Sequence, residues 1–379
     1  MKKTFLTLCV AALLGTTSTS ASAQPAQANT NPDAPSFRTP LEVVKGDYKP
    51  LPRATSAFDF TAAEEINAKY DAYSLLIWHK GAVILEKYWN NTGPDTRAES
   101  ASMHKSVMVT LLGTAIADKK IKSVDDPVGK YIAEWKTDPR GKTTIRQTLS
   151  MATGLSALST EGGPQSENAR FQAGVNMREL TLGRTQKVPP GTVFDYRNQN
   201  SQVAGYIIEA ATKKRYADFL SQKLWVPLGA QDAYVWLDKE NGSPRTSGSL
   251  FARAEDWLRF GVMLKDGGVF NGKRVVPASW VDEITKPSVT NPSYGMQIWR
   301  ATPFEKERFY NAAKEGAMVP SAEPWLDPDI FFFDGFGGQR VYISRKHDLV
   351  IARLGRARPD WDDTALPNAV IKAITATTP

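Results

Sequence analysis

The chain predicts a mixed α/β fold of the α+β type: an antiparallel sheet built from both termini and flanked by helices, with a mainly helical region inserted. Three observations carry this expectation. Apolar strand-like runs cluster before residue 99 and return after residue 287, while the stretch between them is mostly helical in pattern. Within that stretch, "ASMHKSVMVTLLGTAIAD" at 101–118 is apolar on nearly every face, as a helix enclosed by protein must be.

Taken in order, the first residues, "MKKTFLTLCVAALLGTTSTSASAQ", combine a positive start, a short apolar run and a small-x-small site at Ala21-Ser22-Ala23. They predict a signal peptide at 1–23 and a periplasmic or secreted mature protein without stable membrane insertion. Cys9 is the sole cysteine, and Leu8 before it is too large for a lipid-attachment site. A mature chain without cysteine has neither disulfides nor thiolate chemistry. Losing Lys2 and Lys3 lowers the formal charge from +7 to about +5, interspersed along the chain, which argues against nucleic acid as a partner. Residues 24–57, rich in Pro, Ala, Asn and Thr, suggest an extended lead-in. One domain follows at 58–379, with sheet regions at about 58–99 and 287–379 and the helical region at about 100–286. It opens with a helix capped near Thr61 and a hairpin hinged at Lys80-Gly81. It closes with the strands "SYGMQIWR", "DIFFFDGF", "GQRVYISRK" and "DLVIARLG" and the helix "ALPNAVIKAITA". The excursion at 302–328 interrupts the strands and is long enough to suggest a functional lid.

Chemistry concentrates at three places. Ser102 and Lys105 share a helix face at spacing i, i+3, the only Ser/Thr-x-x-Lys in the chain. A serine hydroxyl needs a proton acceptor, and an apolar setting can lower a lysine pKa by roughly 3–5 units, enough to supply one. Tyr196-Arg197-Asn198 lies between a Pro-Gly turn and a helix start and offers a proton-shuttling phenol and a polar substrate contact. Tyr88-Trp89-Asn90 has the same pattern but ends a strand. Finally, "FFFDGFGGQRVYIS" bends an apolar strand at Gly335, Phe336 and Gly337, where a backbone can closely approach a ligand.

Together these segments resemble the serine β-lactamase and penicillin-recognising superfamily, nearest to class C-related esterases and 6-aminohexanoate-dimer hydrolases. The resemblance spans about residues 60–375 and includes "TIRQTLSMATGL" and "RAEDWLRFG". It implies Ser102 as the acylated nucleophile, Lys105 as its proton acceptor, Tyr196 as a partner base that activates the deacylating water, and Asn198 as a substrate contact. It implies Phe336 N–H as the second oxyanion donor, no cofactor, and a small ester or amide as substrate. The chain departs from the Lys-Thr-Gly of true β-lactamases with Phe333-Asp334-Gly335, which puts β-lactam hydrolysis in doubt. Asp334 should repel a substrate carboxylate unless Arg197 or Arg340 replaces the missing cation. A β-lactamase, a D-Ala-D-Ala carboxypeptidase or a non-catalytic penicillin-binding-like module are the alternatives.

Rival signals fail. The phosphate-loop mimic at 267–273 is followed by Arg274 rather than a hydroxyl residue and suits a hairpin turn. No Gly-x-Ser-x-Gly elbow occurs. His79, His104 and His347 are scattered, so no metal site is expected, and His104 points away from the Ser-Lys face as a structural residue. Oligomeric state has no legible signal.

Overall fold

Strands from the two ends of the chain meet in a six-stranded antiparallel sheet. Its order is Ala82–Tyr88, Ala72–His79, Leu349–Gly355, Gln339–Ser344, Phe331–Gly335 and Trp299–Arg300. The join pairs Leu75 with Arg353 and Ile77 with Ile351. The structure, a computed structural model, describes residues 40–376; the signal at 1–23 lies outside them. Along Ala72–His79, Leu76 and Trp78 enter one core while Leu75 and Ile77 enter another. Val350 and Ala352 against Ile351 repeat the alternation. A strand buried on both faces has no polar side, which is why these segments are continuous apolar runs. Helices Thr61–Lys69 and Ala365–Thr375 cover one face and helix Ala254–Lys265 the other.

Lys80 (φ 47°) and Gly81 (φ 96°) make the two-residue left-handed turn that joins the first hairpin. Asn271 and Gly272 do the same between Val269–Phe270 and Lys273–Arg274, so the phosphate-loop mimic is a hairpin. The central helix, His104–Ala117, is buried at every residue from His104 to Ala115 and follows a 3-10 turn at Ala101–Met103. It packs on helices Asn198–Thr212 and Ala278–Thr285. Gly113 costs that helix about 1 kcal/mol relative to alanine. The reason is Trp280, whose indole donates to the Val109 carbonyl at 3.0 Å and whose Cδ1 would lie 2.0 Å from a Cβ at 113.

The lead-in expected at 24–57 needs correction from residue 41 onward. Leu41–Val44 is a strand paired with Ala233–Trp236 in a second, four-stranded sheet completed by Leu250–Arg253 and Arg97–Glu99. Leu51 is buried, and its N–H donates to Glu255 Oε1 at 3.0 Å. Two of the four strands of this second sheet, Ala233–Trp236 and Leu250–Arg253, lie within the region expected to be helical. Its strands are only three or four residues long, too short for periodicity to register. The segment "SYGMQIWR" is a strand only at Trp299–Arg300, because Gln297 turns left-handed (φ 59°) just before it. The excursion at 302–328 contains a small hairpin, Glu307–Phe309 with Met318–Pro320.

Candidate active site

Ser102 lies in the 3-10 turn that leads into the central helix. Ala101 before it is left-handed (φ 45°), a conformation that costs a non-glycine residue roughly 1–2 kcal/mol and must be held by its surroundings. The strand Leu250–Arg253 holds it: Ser100 N–H donates to the Leu250 carbonyl at 3.0 Å, and Leu250 N–H donates to Ser100 Oγ at 3.2 Å. Lys105 Nζ is 2.8 Å from Ser102 Oγ and 2.8 Å from Asn198 Oδ1, and it also meets the Ser247 carbonyl. Only 1% of this lysine is exposed. Burial, reinforced by Arg245, pushes its pKa well below the usual lysine range, while Asp334 works the other way. Asn198 Oδ1 and the Ser247 carbonyl are acceptors only. In a neutral amine they can take its two N–H groups, which would leave its lone pair for the serine hydroxyl.

His104 points away, as its spacing suggests. Its ring nitrogens meet the Gly248 carbonyl and the Tyr216 hydroxyl, both at 2.9 Å. It thereby secures the backbone next to Ser247, and burial lowers its pKa to about 4.

Tyr196 stands just before helix Asn198–Thr212, stacked on Trp299 with centroids 5.9 Å apart and edge-on to Tyr310 at 5.2 Å. Lys105 Nζ is 5.1 Å from its ring centroid. Burial, then Asp334, push the phenol pKa well above 10, against the opposing hydrogen bond with Ser102. That direction favours the neutral phenol over the phenolate. Asn198, expected as a substrate contact, spends its carbonyl oxygen on Lys105, leaving its amide N–H groups for a ligand.

The terminal strand brings Phe336 to the cavity wall, with 61% of its surface exposed. Gly335 and Gly337 support it from behind. A Cβ at 335 would lie 2.5 Å from the Ser100 carbonyl, so only glycine lets this strand press against the nucleophile's turn. A Cβ at 337 (φ 73°) would lie 2.3 Å from Ala357 Cα. Asp334 differs from expectation. It is buried between Arg308 (3.2 Å) and Arg340 and accepts from the Tyr310 hydroxyl at 2.8 Å. Both arginines also bind Asp363, each with a closest approach of 2.7 Å. The four charges cancel, so Asp334 presents no uncompensated anion to a substrate. Arg340, 1% exposed, is not free to grip a carboxylate either.

Arg308 and Tyr310 come from the 302–328 excursion. This excursion is joined to the tyrosine segment through Tyr196 N–H to the Tyr310 carbonyl (2.8 Å) and Ala312 N–H to the Phe194 carbonyl (3.1 Å). A cavity of about 550 Å³ results, lined by Ser102, Tyr196, Asn198, Ser247, Tyr310 and Phe336 among others. Sequence reasoning missed Ser247, Tyr310, Arg308 and Arg245. The stretch "SPRTSGS" at 243–249 carries no motif, and only its small residues ahead of an apolar run hint at a tight approach.

A family model described as Beta-lactamase matches residues 61–374. The 6-aminohexanoate-dimer hydrolase of Paenarthrobacter ureafaciens is 29% identical over 316 residues, covering 74% of this chain and 79% of that protein. A Bacillus anthracis structure provisionally assigned as a 6-aminohexanoate-dimer hydrolase superposes with a TM-score of 0.74 at 22% identity, over 88% of this chain and 90% of its own. A penicillin-binding protein homologue from Caulobacter crescentus gives 0.62 at 16% identity, over 88% and 100%. These two structural likenesses speak for the fold.

Proposed function

The chain is a serine hydrolase of the β-lactamase family, and on that premise we propose that it cleaves a small ester or linear amide through an acyl-enzyme on Ser102. The observation that carries this reading is the buried Lys105 amine, turned toward Ser102 by two acceptors. Its lone pair takes the hydroxyl proton as Oγ attacks the substrate carbonyl carbon. The oxyanion forms between the N–H groups of Ser102 and Phe336, where such a donor is typically worth about 2.7–4 kcal/mol in the transition state. The neutral Tyr196 phenol passes a proton from Lys105 to the departing alcohol or amine, leaving the acyl group on Oγ. Water then attacks that ester, its proton returns through Tyr196 and Lys105, and Ser102 is freed with its hydroxyl.

Linear amides are favoured by the relative whose name denotes an amide-dimer hydrolase. The terminal strand offers a substrate carboxylate no free cation, since Phe333 stands where the lysine would and Arg340 is enclosed. Arg197 does reach the cavity, held by Asp195 at 2.6 Å, and it is a cation that supports the β-lactamase or carboxypeptidase alternative. Ser102→Ala abolishes turnover, and a fluorophosphonate labels Ser102 alone by mass spectrometry. Short esters or linear amides are turned over at least about a hundredfold faster in kcat/KM than nitrocefin, a gap of about 2.7 kcal/mol. Equal efficiency on nitrocefin would move the β-lactamase reading ahead. The segment at 1–23 supports export, tested by fractionation and N-terminal sequencing of the mature protein. Among the described residues, no helix is long and apolar enough to cross a membrane.

A further inference from the structure

The terminal strand has no cation on its substrate side but has one behind it. Arg340 lies opposite Asp334 in the strand register, and its Nη1 donates to the Gly335 carbonyl at 2.7 Å. That carbonyl belongs to the same peptide unit as Phe336 N–H. Peptide resonance couples the two ends: a charged donor on the oxygen draws density from nitrogen and makes the N–H more positive. We propose that Arg340 is a positioning residue that polarises the Gly335–Phe336 peptide and aims its N–H at the developing oxyanion. This rests on the reading of Phe336 as an oxyanion donor.

The surroundings leave Arg340 little freedom. Asp363 Oδ1 accepts from its Nε at 2.8 Å and lies 2.7 Å from its Nη2, so the guanidinium plane is fixed and Nη1 is directed at the Gly335 and Gln339 carbonyls, with Asp334 beside them. The far side of the glycine turn is pinned as well. Arg353 Nη1 donates to the Gly338 carbonyl at 3.0 Å, and Gln339 Nε2 donates to the Gly355 carbonyl at 2.6 Å. A turn with two glycines in the left-handed region, Gly337 and Gly338, would otherwise be free to swing its amides. The buried quartet of Arg308, Asp334, Arg340 and Asp363 is neutral as a set. Of the two peptide carbonyls that Arg340 touches, only that of Gly335 shares its peptide unit with the Phe336 N–H.

Gly335-Phe336 is the only Gly-Phe pair in the sequence. Full-length protein labelled with [1-13C]glycine and [15N]phenylalanine therefore gives a single carbonyl–amide correlation in an NMR spectrum filtered on the one-bond carbonyl–nitrogen coupling, reporting on this peptide alone. In the wild type, the Gly335 carbonyl resonates downfield of glycine carbonyls without a charged donor. The Phe336 amide proton moves further downfield when Ser102 is phosphonylated. The charge-balanced double variant Arg340→Met with Asp363→Asn loses at least half of that movement. Its kcat falls about 10- to 100-fold while KM stays within about threefold. A lost structural contact alone would lower thermal stability without producing this split. If the wild-type Phe336 amide does not move on phosphonylation, the reading of Phe336 fails. If it moves fully in the double variant with kcat unchanged, Arg340 has no such role although Phe336 keeps its own. Should the variant not fold, an ordinary Gly335 carbonyl position in the wild type overturns the proposal by itself.

Discussion

At the scale of single residues, Lys105 has a measurable pH signature. Burial favours its neutral amine, so activity should reach its plateau at a pH well below the ordinary lysine value, not climb toward 10.5. Lys105→Arg should lose activity about as fully as Lys105→Ala, since guanidinium keeps its proton. A pH–rate profile of kcat/KM for the wild type, with single-point assays of both variants, checks this. More than about a tenth of wild-type rate in Lys105→Arg would remove the lysine from proton transfer. His104 titrates in the folded state at about 4, below its unfolded value of about 6.5. A depressed pKa means the stabilisation is complete above about 6.5 and is lost as pH falls toward 4, by roughly 3 kcal/mol. Urea midpoints between pH 7 and 4 should therefore drop more steeply for the wild type than for His104→Asn. Parallel slopes would show that His104 takes up no proton across this range.

At the scale of elements, the helix Asn198–Thr212 fixes the lysine's surroundings through Gly205. A Cβ there would lie 2.3 Å from Thr246 Oγ1. Thr246 Oγ1 donates to the Ser201 carbonyl at 2.9 Å, and the next residue supplies the carbonyl that meets Lys105. Gly205→Ala gains helix propensity yet should lower kcat by at least about tenfold and destabilise by roughly 1–3 kcal/mol, because the 244–247 segment must retreat. Steady-state kinetics with a thermal melt read both effects. The same contrast explains what the sequence revealed. The central helix and the strands at 72–79 and 349–355 were legible because full burial leaves them apolar along their whole length. Ser102, Lys105 and Tyr196 were legible because their chemistry depends on short spacings. The charge balance around Asp334 was not, since its partner Arg308 and the Asp363 that Arg308 and Arg340 also bind lie 26 and 29 residues away and only packing brings them together. Tyr310 was missed for the same reason, sitting in an excursion whose fold no local pattern encodes.

At the scale of the whole molecule, residues 41–57 are part of the body that the lead-in was expected to trail. Besides the pairing of Leu41–Val44, Lys45 N–H donates to Ser221 Oγ at 2.7 Å and Gly46 N–H donates to Asp232 Oδ1 at 2.8 Å. A chain starting at residue 58 should unfold at a clearly lower temperature than one starting at residue 24, and it should aggregate through the uncovered edge of Ala233–Trp236. Melting curves and light scattering of the two chains compare them directly; identical behaviour would mean the segment merely rests there. The join at the centre of the main sheet has a different consequence, one of timing. Ile77 finds its partner Ile351 roughly 270 residues later, so the contact that closes the sheet is among the last a growing chain can make. Until then Leu75, Leu76 and Ile77 have no strand beside them on that side. Folding of such non-local pairings is intrinsically slow, and a chain stopped short of residue 349 would carry an open, apolar edge with nothing in its own sequence left to seal it.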